Sequence, residues 1–281
     1  MLRNSMKTAV LLAAIGGLFV LLGRMFGGVG GMMIGLVIGL AITGGSYWFS
    51  DKLAIRAAGA RPLEDGELPW LRQMVSELAT AASMPMPRLY IAPSPQPNAF
   101  ATGRNPRHAA VAVTAGILEV LDQDELRGVL AHELGHVRNR DILLTSIAAS
   151  FGTAISMLAN FLPFAGFASD EEDRPNPILA IVLSIVAPMA AMIMQMALSR
   201  SREFEADRTG AALIHDGEPL ARALLKIEAY AKQVPMDVDP SQASAYIINP
   251  LSGFNVQKLF STHPPTAERV ARLRDRRAVD A

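Results

Sequence analysis

His132-Glu133-Leu134-Gly135-His136 combines two side chains that can hold a metal ion with one that can move a proton beside it. On a helix, positions i and i+4 share a face, so both imidazoles can reach a single ion. Glu133 adjoins the first imidazole and can act as general base toward an attacking water. The pattern predicts a metal centre built for hydrolysis; the alternative is a helix that merely carries two histidines and an acid. The chain has five histidines and no cysteine. Disulfides, a cysteine nucleophile and thiolate metal sites are thereby excluded. Any metal must be held by His and carboxylate, which suits a catalytic zinc with an open position.

Two imidazoles leave such a zinc one protein ligand short. The candidate lies in Arg202-Glu203-Phe204-Glu205-Ala206-Asp207, where Glu203 and Asp207 are again i and i+4 and Glu205 points elsewhere. Glu203 is the expected third ligand. A metal-bound His usually gives its second N–H to a carboxylate, which Asp207 can supply. The competing reading is a solvated acidic helix start.

The elements that must position these residues include membrane spans. The chain is 51% hydrophobic and 19% charged over 281 residues, with zero formal net charge. That balance favours a membrane protein and gives no sign of a nucleic-acid partner. Apolar stretches near 8–22, 31–49, 142–167 and 178–198 are candidates for four transmembrane helices. The first could instead be a signal peptide, but a glycine-rich turn joins it to the second and favours a helical hairpin. Gly31, Gly35 and Gly39 form a small-residue ridge, for packing within the helix set or for dimerisation. Basic residues flank the spans on one side, and Asp170, Glu171, Glu172 and Asp173 sit in the loop between the third and fourth. The polar segments near 50–140 and 199–281 are therefore expected to face the cytoplasm. This divides the chain into a hairpin (1–50), a first part of the hydrolytic domain with the metal-binding helix (51–140), a second hairpin (141–198) and a second part with the expected third ligand (199–281).

Within the first polar segment, 68–82 has helical periodicity, and 88–92 and 109–114 read as strands. Asp122 and Glu125 form a capping box that starts the helix bearing the two histidines. The third span leaves that helix and the fourth returns just before Glu203, so a membrane hairpin would bring the two helices together. The segment 233–260, with Pro235, Pro240 and Pro250, reads as a lid or a surface loop. His108 and His215 read as surface or structural residues.

These motifs, with Pro97-Asn98-Ala99-Phe100-Ala101-Thr102-Gly103, Glu203-x-x-Ala206-Asp207 and Thr262-His263-Pro264-Pro265, resemble the HtpX-type membrane zinc endopeptidases, relatives of the CAAX prenyl proteases. The resemblance covers nearly the whole length. It implies an α+β, mostly helical fold with a zincin-like (gluzincin) protease domain and a small β-sheet. It implies one Zn2+ per chain held by His132, His136 and Glu203, with Glu133 as base and Asp207 orienting a histidine. It implies that Asn98, Ala99 and Phe100 lie in an edge strand that pairs with extended substrate. His263 would stabilise the oxyanion, or bind zinc as a fourth ligand, and Arg269 is a further candidate for substrate contact.

The expected function is ATP-independent hydrolysis of misfolded or damaged membrane proteins, as proteolytic quality control under stress, in a bacterial inner (plasma) membrane. The expected partners are polypeptide substrates and the lipid bilayer. The sequence contains no G-x-x-x-x-G-K-[ST] loop, so no nucleotide is expected. Two alternatives stay open: a CAAX-type prenyl-protein endopeptidase, and a non-proteolytic membrane scaffold with a structural zinc.

Overall fold

The computed structural model describes residues 2–142, 200–233, 247 and 264–275. The third and fourth apolar stretches, the acidic loop between them, His263 and all of 234–260 except Ile247 lie outside the described residues.

Helix α1 (Leu2–Ala57) is two helices merged across a break at Gly27 and Gly28, whose φ of 55° at Gly28 suits glycine. The two arms fold back as an antiparallel hairpin. Gly23 lies against Gly31, Phe19 against Gly35, and Gly16 against Gly39. A Cβ on Gly35 would stand 2.2 Å from the Phe19 carbonyl oxygen. The glycine ridge thus lets the two backbones of one chain approach each other, which is the packing reading rather than the dimer. Gly27–Gly45 is long and apolar enough to cross a membrane.

Beyond the hairpin, the chain forms β1 (Arg61–Pro62), α2 (Pro69–Ala81), β2 (Arg88–Ala92), β3 (Ala99–Thr102) and β4 (Ala110–Thr114). Next come α3 (Ala115–Val120) and α4 (Gln123–Asn139), then α5 (200–214), α6 (Glu218–Gln233) and α7 (Thr266–Arg274). The sheet order is β1-β2-β4-β3, with β2 and β4 parallel and both outer pairs antiparallel. Every residue of β4 is buried, as expected of an apolar run flanked on both sides. The motif at 97–103, which shows no clear strand period, becomes edge strand β3.

The capping box of α4 forms as expected: Asp122 accepts from the Glu125 N–H at 2.9 Å, and the Glu125 carboxylate accepts from the Asp122 N–H at 3.1 Å. Leu126, Val129, Leu130, Leu134 and Val137 bury one side of α4 in the core with Val75 and Leu78 of α2 and Leu220 and Leu224 of α6. Glu125 is itself buried, and Lys226 of α6 donates to it at 2.6 Å. The helix ends at Arg140, which takes the left-handed conformation (φ 59°) and donates its N–H to the last turn. That cap separates α4 from the apolar stretch after it, a boundary that periodicity does not reveal.

The hairpin contact yields a prediction. Gly35→Ala should destabilise the detergent-purified protein by roughly 1–3 kcal/mol through overpacking. Gly44→Ala, where an added Cβ meets nothing within 4 Å, should leave the melting temperature unchanged. Equal melting of the two variants would remove the close-packed hairpin.

Candidate metal centre and its edge strand

Helix α4 presents His132 and His136 on one side, their rings 4.7 Å apart and nearly perpendicular. Helix α5 crosses this face at very short range. A Cβ on Gly210 would lie 2.7 Å from the His132 backbone nitrogen, and one on Gly135 would lie 3.0 Å from the Ala206 carbonyl oxygen. Two glycines, one on each helix, therefore set the interaxial distance. The i, i+4 spacing of Glu203 and Asp207 then turns both carboxylates toward α4.

The Glu203 carboxylate lies 3.7 Å from His132 Nε2 and 3.3 Å from His136 Nε2. One ligand atom from each of the three residues falls within 4.8 Å of the others, a spacing that could hold a metal ion. Asp207 Oδ1 lies 2.9 Å from His132 Nδ1, which fixes the ring with Nε2 toward Glu203. A residue not singled out from the sequence lies near the other ring: Asp141, buried directly after the α4 cap, is 3.6 Å from His136 Nδ1, too far for a hydrogen bond. Its signal was an acid five residues past the second histidine.

Electrostatics test whether a divalent cation fits. Glu133, Asp141, Glu203 and Asp207 are buried carboxylates, and the cations among them are Arg202 and Arg269. Among the described residues the acids of this cluster outnumber its guanidiniums, so with the imidazoles neutral, as metal ligands must be, the site favours a cation. His136 shows the same field. Burial alone would lower its pKa, yet the carboxylates of Asp141 and Glu203 raise it to about 10. Asp207 is held below the usual carboxylate range: burial raises it, but Arg269 and His132 outweigh that. The donor set of two imidazoles and one carboxylate fits a catalytic ion with an open position.

Glu133 lies on the side of the site nearest the sheet. Burial pushes its carboxyl above the usual range, against the lowering by His132, His136 and the backbone. Its Oε2 accepts the Ala101 N–H of β3 at 2.9 Å. Asn98, by contrast, receives the Thr114 N–H on its carbonyl at 2.9 Å, across to β4. Backbone polarity alternates along a strand, so Ala99 and Ala101 address the edge that no described strand pairs, where Glu133 meets Ala101.

The other expected contacts fall differently. Arg269, a candidate for substrate contact, is 1% exposed and lies beneath the site. It grips Asp207 with Nε and Nη2 at 2.9 and 2.7 Å, and its Nη1 stands 3.4 Å from Glu203. It therefore positions the carboxylates, because its fork matches them and its burial keeps substrate away. The Asn98 side chain is likewise turned inward: its Oδ1 accepts the Ile247 N–H at 3.2 Å, while Arg269 donates to the Ile247 carbonyl at 3.1 Å. Ala99 is buried and Phe100 half-buried. Glu205, as expected, faces away and pairs with Arg208 at 2.8 Å. His108 is exposed beside Asn105, and His215 ends α5 in a left-handed turn, so neither joins the site.

Residues 66–277 match the family model described as Peptidase family M48. The chain belongs to peptidase family M48. Proteins named "Protease HtpX homolog" from Burkholderia mallei and Burkholderia pseudomallei are 53% identical to it over 276 residues, 97% of this chain and 96% of theirs. A crystal structure of S. mikatae Ste24p shares the fold, with a TM-score of 0.53 and 21% identity. That likeness covers 97% of this chain and 65% of the longer neighbour. The expected family is thus borne out, and the chain is a membrane metalloprotease that hydrolyses peptide bonds.

The buried ion pair gives the next prediction. Arg269→Met strands Asp207 and should cost roughly 3–5 kcal/mol of stability. Arg269→Lys should recover only part, since an ammonium cannot bond both carboxylate oxygens in the same plane. Chemical denaturation would read both, and a wild-type midpoint for Arg269→Met would show the pair to be dispensable.

Proposed function

We propose that the chain is a zinc endopeptidase in which His132, His136 and Glu203 hold the ion and Glu133 moves the protons. The observation that carries this reading is the convergence of those three ligand atoms beside the Glu133 carboxylate, at the open edge of β3. Bound zinc supplies Lewis acidity toward the scissile carbonyl. The rest of the chemistry belongs to this chain's residues. An extended substrate adds to the free edge of β3 through main-chain hydrogen bonds, which tolerates varied sequences. Glu133, with its pKa raised by burial, takes the proton of the attacking water on its carboxylate and delivers it to the leaving amine nitrogen. Asp207 holds the His132 ring in one tautomer, while Asp141 lies beside the His136 ring and adds negative charge there without a hydrogen bond to it. His263 completes the expected set as the donor to the oxyanion.

The protease domain is read as two sequence segments, 51–140 and 199–281, joined through a second membrane hairpin. Support comes from the close contact of α4 and α5, which a hairpin of the two intervening apolar stretches would join. With the α1 hairpin this makes four spans. The basic flanks favour a cytoplasmic protease domain in a bacterial inner membrane. A site beside the bilayer suits misfolded membrane proteins and their exposed loops, cleaved without nucleotide.

The test is casein cleavage by full-length protein purified in detergent with chelator, then given zinc in the absence of ATP. Zinc should restore cleavage. Glu133→Gln should keep stoichiometric zinc and lose at least about 100-fold in turnover, as expected for removal of a general base. Glu203→Ala should lose both zinc and turnover. Full activity in Glu133→Gln would remove the assigned base, and zinc retention in Glu203→Ala would remove the third ligand.

A further inference from the structure

Away from the metal centre, where α1 leaves its apolar stretch, the surface folds into an open pocket of about 630 Å³. Its lining combines two exposed aromatics, Trp48 and Phe49, with Lys52, Arg88, Arg104 and Arg107. Among the described residues Asp51 is the one carboxylate in the lining, and it is already bonded to Arg88. That bond ties the end of α1 to β2. Burial would raise the Asp51 carboxyl, but Arg88 holds it below the usual range, so the pair stays ionised. Three cations then face the pocket without a carboxylate bonded to them in its lining: Lys52, Arg104 and Arg107.

Two of these cations rest on aromatic rings. The Arg104 guanidinium lies over the Trp48 ring at 4.8 Å and donates to the Trp48 carbonyl at 3.5 Å. Lys52 lies over Phe49 at 5.7 Å. Asn105 caps the single turn Pro106–His108, accepting the Arg107 and His108 N–H groups at 3.0 and 3.2 Å. Gly103 makes that turn back toward the pocket possible: its φ is 130°, and a Cβ there would stand 2.3 Å from the His108 carbonyl oxygen. Arg104 and Lys52 are thus held against aromatic rings, and the turn that carries Arg107 is fixed through its backbone.

Its depth identifies the occupant. Trp48 to Lys52 lie three to seven residues past Gly45, the end of the apolar stretch, which is roughly 5–10 Å along a helix. The headgroup layer of a bilayer is roughly 5–8 Å thick on each side. Aromatic rings settle at that level, and basic residues beside it attract anionic lipid. We propose that this pocket binds the phosphate of an acidic phospholipid, held between Lys52, Arg104 and Arg107 with its glycerol edge against Trp48 and Phe49. Arg104 follows β3 by two residues, so an occupant also braces the end of the strand that faces Glu133. The inference rests on α1 crossing the bilayer.

The experiment titrates full-length protein in neutral detergent with dioctanoyl phosphatidylglycerol, dioctanoyl phosphatidylcholine and inorganic phosphate, read by calorimetry. The phosphatidylglycerol should bind at least tenfold tighter than the phosphatidylcholine. The double variant R104Q/R107Q should lose that preference, and K52Q should weaken it, with zinc content and melting temperature confirming that both variants fold. Equal binding of the two lipids, or an unchanged preference in the double variant, would overturn the proposal. Inorganic phosphate binding as tightly as the phosphatidylglycerol would make the source a soluble anion and overturn the lipid assignment. Release of the protein from membranes by alkaline carbonate would sink the membrane reading itself, a result separate from the titration.

Discussion

The active centre depends on two helices meeting at backbone contact. Helix α5 reaches α4 closely enough for Glu203 and Asp207 to touch the imidazoles because glycine stands at Gly135 and Gly210. A methyl group at Gly210 would push the helices apart and lengthen those contacts, and one at Gly135 would press on the Ala206 carbonyl. The carboxylates that result are buried, and buried acids without partners would be expensive. Arg269 from α7 supplies the compensation, so a third helix is drawn beneath the first two by charge as well as by apolar packing. Stability and catalysis are therefore linked through one cluster: the ion pair that makes the site affordable also fixes the ring that Asp207 addresses.

The same logic runs through the secondary structure. Helix α4 is the hub, with its capping box at one end and its left-handed cap at the other. Its apolar side faces α2 and α6, and its polar side faces α5 and β3. A mostly buried helix carrying Glu125, His132 and Glu133 is unusual unless each polar group has a partner. Here each one does: Lys226, Asp207 and the Ala101 N–H respectively. Edge strand β3 gains a role from its position. It gives one edge to β4 and turns the other toward the base.

Much of the site was legible because its signals are local. Two histidines four apart, an adjacent glutamate, and a second acid pair four apart each define a face of one helix, and side-chain periodicity fixes that face. The capping box is likewise contained in four residues. Arg269 was visible as a residue but not as a role, since nothing near it in the sequence says that Asp207 lies beside it. Asn98 reads as part of a substrate strand, yet its side chain is bound to Ile247, far along the chain. Asp141 is harder to read from the sequence, because its place near His136 follows the cap at Arg140, a single backbone conformation.

By itself, the sequence determined the ligand types, their helical spacing, the absence of thiolate chemistry and the membrane character of the chain. These are properties of composition and short-range period, which survive without knowledge of neighbours. The tertiary structure decided which faces meet, which acid serves which ring, and that the glycine ridge of α1 packs within its own hairpin. It also decided that four basic residues, separated by up to 55 positions, gather around Trp48 and Phe49. A helix period specifies direction only relative to its own axis. What lies in that direction is set by packing between segments far apart in the chain, and that information is not local.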